Sequence, residues 1–84
     1  MERSLGQLNL ARPAELIGEP ARAAILSALA DGRALPASVL SKEAKVAAST
    51  ASVHLAKLVQ GGLISVEKHG RYRYYRLKNH LLPK

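Results

Sequence analysis

Residues 48–77, ASTASVHLAKLVQGGLISVEKHGRYRYYRL, change their hydrophobic period part-way along, and that change decides the fold. Over 48–60 the apolar residues Ala48, Ala51, Leu55, Leu58 and Val59 fall on one face of a helix. Gly61-Gly62 then stops it. From Leu63 onward the pattern alternates, as two short strands require. If His69-Gly70 forms a two-residue turn, Lys68 faces Arg71, Val66 faces Arg73 and Ile64 faces Tyr75. Ile64, Val66, Tyr75 and Leu77 then share one face, which a slip of one residue would scatter. A hairpin results whose base packs on helices and whose tip, Lys68 to Arg73, projects into solvent.

Upstream, residues 45–47 can only be a turn, because the helical spacing resumes after them in a new phase. Pro36 suits the start of a helix running to about Ala44, with Val39 and Leu40 inward. The preceding RALP, residues 33–36, is long enough for a connector or a single edge strand. Pro20 opens another helix, with Ala21, Ala24, Ile25, Ala28 and Leu29 on one face, and Asp31-Gly32 closes it. Before Gly18, Leu5, Leu8, Leu16 and Ile17 partly follow helical spacing, interrupted or started by Pro13. The expected fold is mainly α with a β-hairpin: a winged helix-turn-helix of about four helices followed by a two-stranded wing. It forms a single domain over residues 1–84, the helix-turn-helix at about 36–60 and the wing at about 63–77.

The charge is divided as sharply as the pattern. In residues 1–41 four arginines meet four carboxylates, whereas residues 42–84 hold nine cations against two acids, so the whole net charge of +7 lies in the second half. That asymmetry points to a polyanion, of which nucleic acid is the commonest soluble example; a basic solvated face is the plain alternative. An 84-residue chain buries only part of its surface, so a partner subunit would help it. No apolar run reaches bilayer length and no secretion signal precedes a cleavage site, so a cytoplasmic location and no membrane partner are expected. With no cysteine, disulfides, thiolate metal sites and thiol chemistry are excluded.

The face of the 48–60 helix opposite its apolar stripe carries Ser49, Thr50, Ser52, Val53, His54 and Lys57. Short hydroxyls near the N-terminal end and one later cation suit a helix presented to the DNA major groove. No Arg, Asn or Gln on this face offers a bidentate contact to guanine or adenine, so selectivity leans on weaker contacts or on DNA shape. Lys68, His69, Arg71 and Arg73 cluster at the hairpin tip, where an arginine can reach a phosphate or a narrow minor groove. Charges on an exposed ribbon also prevent edge-to-edge pairing. Tyr75 belongs with the core, while Tyr72 and Tyr74 share the opposite face. Neither an enzyme nor a metal site is expected: His54, His69 and His80 lie on different elements without a second ligand at helical or hairpin spacing. No cofactor is implied.

These residues resemble the ArsR-type (arsenical-repressor-like) winged helix-turn-helix regulators of bacteria. EPARAAIL (19–26), STASVHLAKLVQGGLI (49–64) and GRYRYYRL (70–77) are similar in order and type to that family's segments. The resemblance implies a homodimeric repressor that binds an inverted repeat in double-stranded DNA and releases it when an effector arrives. It places Ser49, Thr50, Ser52, Val53 and His54 on the DNA-reading helix and Arg71 and Arg73 in the wing; Lys45, Lys57, Lys68 and His69 complete the expected contact set. The chain departs from the family at the turn, with Lys45 where Gly is frequent and Ala47 where Ser caps the helix. A left-handed Lys45 costs about 1 kcal/mol and an alanine cap forgoes about as much, unless Ser49 caps a helix that starts later or a phosphate meets the free N–H groups. The arsenic-sensing cysteine pair is missing, so the effector stays unnamed. The family's C-terminal dimerisation helix is also missing after NHLLPK, which leaves Leu5, Leu8 and Leu16 as the expected dimer surface, or else a truncated chain. A protein-interaction module and a non-specific architectural DNA binder are the rival functions.

Overall fold

A computed structural model of the chain describes residues 19–83. The helix expected before Gly18, and with it the dimer surface at Leu5, Leu8 and Leu16, lies outside those residues. Among the described residues the order is α1 (Pro20–Ala28), β1 (Leu35–Pro36), α2 (Ala37–Ala44), α3 (Ala48–Gln60), β2 (Ile64–His69), β3 (Tyr72–Leu77) and a short 3-10 turn (Asn79–Leu81). Helices α2 and α3 form the helix-turn-helix, and β2 with β3 forms the wing.

Proline at its first turn starts α1, since the missing N–H has no acceptor there anyway. The chain then reverses through Gly32 at φ +89°, a turn closed by Asp31 accepting from the Arg33 N–H at 3.1 Å. In α2 the inward stripe is Ala37, Leu40, Ser41 and Ala44, with Leu40 fully buried. Val39, expected inward, is exposed, because it sits nearly opposite the centre of that stripe.

Two helix ends decide the rest of the path. At the close of α2 the Val46 N–H donates to the Ser41 carbonyl and the Lys45 N–H to that of Lys42, both at 3.1 Å, the paired bonds of a Schellman motif. Lys45 therefore takes the left-handed position, φ 59° and ψ 44°, that glycine fills most easily. At the close of α3 the same pair recurs: Leu63 N–H to Leu58 carbonyl and Gly62 N–H to Val59 carbonyl, each 3.0 Å, with Gly62 at φ +80°. Leu58 and Leu63 are both buried, so this reversal is also an apolar contact. The start of α3 has no such support. Ala47 is its N-cap and offers no side-chain bond, and the helix begins at Ala48, which overturns a later start capped by Ser49. Ala48, expected on the apolar face, is exposed at that first position.

The sheet has three antiparallel strands in the order β1-β3-β2. RALP thus supplies an edge strand, Leu35 opposite Tyr75 and Pro36 opposite Tyr74. In the hairpin Ile64 pairs with Leu77, Val66 with Tyr75 and Lys68 with Arg73. The turn is Gly70-Arg71 rather than His69-Gly70. Gly70 has φ +66° while Arg71 does not enter the positive-φ region, the pattern of a type II′ turn, which needs glycine only at its first position. The expected register is displaced by two residues, so every side chain keeps its expected face. Ile64, Tyr75 and Leu77 are buried as expected; Val66 is 40% exposed, past the edge of the core.

The core joins Ile25, Leu26 and Leu29 of α1, Leu40 of α2, Leu55 and Leu58 of α3, Leu63, Ile64 and the β3 residues Tyr75 and Leu77. Leu81, in the 3-10 turn, closes one end of this cluster, and Lys78 N–H reaches back to the Leu63 carbonyl. Cutting Leu55 to Ala would cost roughly 2–5 kcal/mol. The two uncompensated helix ends can be tested directly. Lys45→Gly and Ala47→Ser should each raise the free energy of unfolding by about 1 kcal/mol in urea titrations, and Lys45→Ala should raise it by neither strain relief nor capping.

Candidate nucleic-acid interface

Because Ala51, Leu55 and Leu58 are buried, with Val59 packed beside them, the opposite face of α3 is turned outward. Ser49, Thr50, Ser52, Val53 and Lys57 are exposed on it, and Lys45 is exposed in the turn just before. His54 differs: it is half-buried at the flank of the inward stripe, and its Nδ1 is sealed from solvent with no hydrogen-bond partner among the described residues. At the N-terminus of α3 the Ala51 N–H is the first to find an intrahelical acceptor, the Ala47 carbonyl at 2.9 Å. The N–H groups of Ala48, Ser49 and Thr50, in the first turn, have no acceptor within the helix.

Strand alternation divides the wing residues that composition had grouped. Lys68 and Arg73 are directly opposite each other and share the face of Ile64, Val66, Tyr75 and Leu77, which packs toward α3. Arg73 lines a groove between the hairpin and α3 together with Ser52, Ala56, Gln60 and Val66. Arg71 occupies the turn and is exposed. His69 falls on the other face, with its Nε2 3.3 Å from Glu67 Oε1 and its ring edge-on to Tyr74 at 5.6 Å. Tyr72 is also on that face, exposed at the ribbon end. Thus Lys45, Ser49, Thr50, Ser52, Val53, Lys57, Lys68, Arg71 and Arg73 are exposed along α3, its preceding turn and the hairpin, whereas His54 is withdrawn and His69 is turned to a carboxylate.

Two groove residues, Ala56 and Gln60, were not singled out from the sequence. Their signal was available: they follow Ser52 at successive steps of four along the helix, and so continue its line. Among the described residues no group of three or more His, Asp or Glu side chains could hold a metal ion, and no helix is long and apolar enough to cross a membrane.

A family model described as a helix-turn-helix domain matches residues 17–67. The chain belongs to the helix-turn-helix domain family. Over 69 residues this domain is 52% identical to the uncharacterized HTH-type transcriptional regulator YdfF of Bacillus subtilis, a match that covers 82% of the chain and 30% of the relative's length. The chain is also similar to the homodimeric winged helix-turn-helix DNA-binding domain of a possible ArsR-family transcriptional regulator from Mycobacterium bovis, at TM-score 0.70 and 29% identity over 81% of this chain and 62% of that one. HlyU from Vibrio cholerae matches at TM-score 0.74 and 28% identity, covering 80% and 72%. The ArsR-type resemblance and the winged helix-turn-helix fold expected from the sequence are both borne out by these relatives.

The sealed Nδ1 of His54 makes a specific prediction for this domain. A buried polar atom without a partner costs about 1–3 kcal/mol, and replacing it with an apolar group of similar shape removes that cost. His54→Leu should therefore unfold at equal or higher urea concentration than the parent; a clear loss of stability would reveal a hydrogen bond that the ring makes.

Proposed function

We propose that this chain is the DNA-binding part of a transcriptional regulator, acting as a homodimeric repressor on an inverted repeat. In this reading α3 enters the major groove of each half-site and the wing grips the backbone or minor groove beside it. The observation that carries it is a coincidence of position: the Lys68 and Arg73 pair faces the α3 side of the hairpin, next to the polar outward stripe of α3. Phosphates lie on either side of a groove that admits a helix, so cations flanking the helix meet them as the helix enters. Lys45 and the free N–H groups at the start of α3 supply a further phosphate contact, aided by the helix dipole. Arg71, at the tip, is the wing residue with the longest reach.

The helix-turn-helix at about 36–60 and the wing at about 63–77 divide this work into base reading and backbone gripping, with Ser49, Thr50, Ser52, Val53 and Lys57 on the base side. Dimerisation is assigned to the N-terminal leucines Leu5, Leu8 and Leu16, and the homodimeric state of the M. bovis domain supports a dimer as the working form. The whole regulator works in the cytoplasm, and it takes its signal from an effector that the described residues do not identify. One observation favours a second reading. The outward face of the first two turns of α3 lacks Arg, Asn and Gln, as a non-specific architectural binder would.

Titration of duplex DNA at several salt concentrations separates these readings. Affinity should fall steeply with salt, and Lys68→Ala combined with Arg73→Ala should lower the slope of log affinity against log salt by roughly 2, at about 0.9 per lost phosphate contact. His69→Ala, on the far face, should leave the slope unchanged. No measurable binding at low salt sinks the DNA-binding reading, and equal affinity for promoter and scrambled duplexes favours the architectural one.

A further inference from the structure

Resting on the DNA-binding reading, we propose that Val53 is the specificity-determining residue of α3 and that it reads the C5 methyl group of a thymine. Among the described residues it is the most exposed large aliphatic side chain, at 53%. It lies on the side of α3 directly away from buried Ala51, Leu55 and Leu58, so it is at the crest of the surface that a groove would meet first. Of its neighbours one turn away, Ser49 and Ala56 are short and exposed, and Lys57 is an exposed cation whose flexible stem can bend aside toward a phosphate.

A β-branched apolar group at that position is costly to leave in water and cannot hydrogen-bond a base edge. In the major groove each base pair offers hydrogen-bonding atoms, and only the thymine methyl offers an apolar handle. No Arg, Asn or Gln stands on the crest within the first two turns to make a competing bidentate contact. The Ser49 and Ser52 hydroxyls accept or donate to either base type, so they orient the helix without choosing a sequence. Discrimination therefore falls to the methyl-to-methyl contact. Thr50 carries the other β-methyl of the outward face, but it stands to one side of the crest, toward His54.

The test begins with duplexes selected from a random pool by the intact chain at low salt. Each thymine is then replaced singly by deoxyuridine, which removes the methyl and leaves every hydrogen-bonding atom in place. At one or more positions the parent protein should bind about fourfold more weakly, the factor that burial of one methyl group carries. A 5-methylcytosine paired with guanine at the same position should bind better than plain cytosine, since it returns the methyl to the same place. Val53→Ala should bind thymine and deoxyuridine duplexes equally, while His69→Ala, on the far face of the wing, keeps the parent's discrimination. Selected duplexes indifferent to deoxyuridine at every position overturn the proposal and leave DNA binding intact, as does a Val53→Ala protein that still discriminates. Failure to retain any duplex overturns the DNA-binding reading and this proposal with it.

Discussion

The backbone reversal at Gly62 is the joint on which the rest of the molecule depends. With Gly62 at φ +80°, the Leu63 N–H returns to the Leu58 carbonyl, and Leu63 and Ile64 drop into the core directly behind the last turn of α3. Only residues 61–63 separate helix from strand, and the last of them, Leu63, is buried. The wing is consequently not a flexible arm tethered to a helix but a continuation of it, held by the same buried leucines. A Cβ at Gly62 would meet no atom within 4 Å, so what the position demands of glycine is backbone freedom rather than space.

That joint gives the charge distribution its meaning. A neutral first half and a strongly positive second half say only that something acidic is met. The fold sorts the cations further: Lys68 and Arg73 turn toward α3, Arg71 sits at the tip, and Arg76 lies on the far face among Ser65 and Glu67. The ribbon therefore has one face whose charged side chains are cations alone and one where Glu67 and His69 stand beside Tyr74. A count of basic residues in GRYRYYRL cannot separate these sets, because alternation acts on position and not on composition.

Much of the fold was legible in the residues. The period change at Gly61-Gly62 marked helix from strand, and parity placed Ile64, Tyr75 and Leu77 in the core even though the turn was set at His69-Gly70. The error was harmless because it was an even number of residues. Local conformation was harder to read. That Lys45 accepts a left-handed backbone follows from the two Schellman bonds that surround it, which no property of lysine announces. Val39 and Ala48 fit an apolar helical stripe as letters but fall outside the contact area of neighbouring elements, and only packing decides that. His54 matched an outward polar face by residue type, whereas its angle on the helix takes it into the flank of the core. Leu81 was missed because a single 3-10 turn leaves no periodic signal.

The hairpin's alternation also sets a rule for how its length can change. Removing or adding two residues at the Gly70 turn would shorten or extend the ribbon while leaving Lys68 and Arg73 toward α3. A change of one residue within β2 would exchange its faces beyond that point, bringing Glu67 and His69 to the groove and sending Lys68 outward, whereas one within β3 would exchange Arg73 for Tyr72, Tyr74 and Arg76. Drift in the length of this wing is thus filtered by odd and even: even steps alter reach, and odd steps change which charges the groove meets.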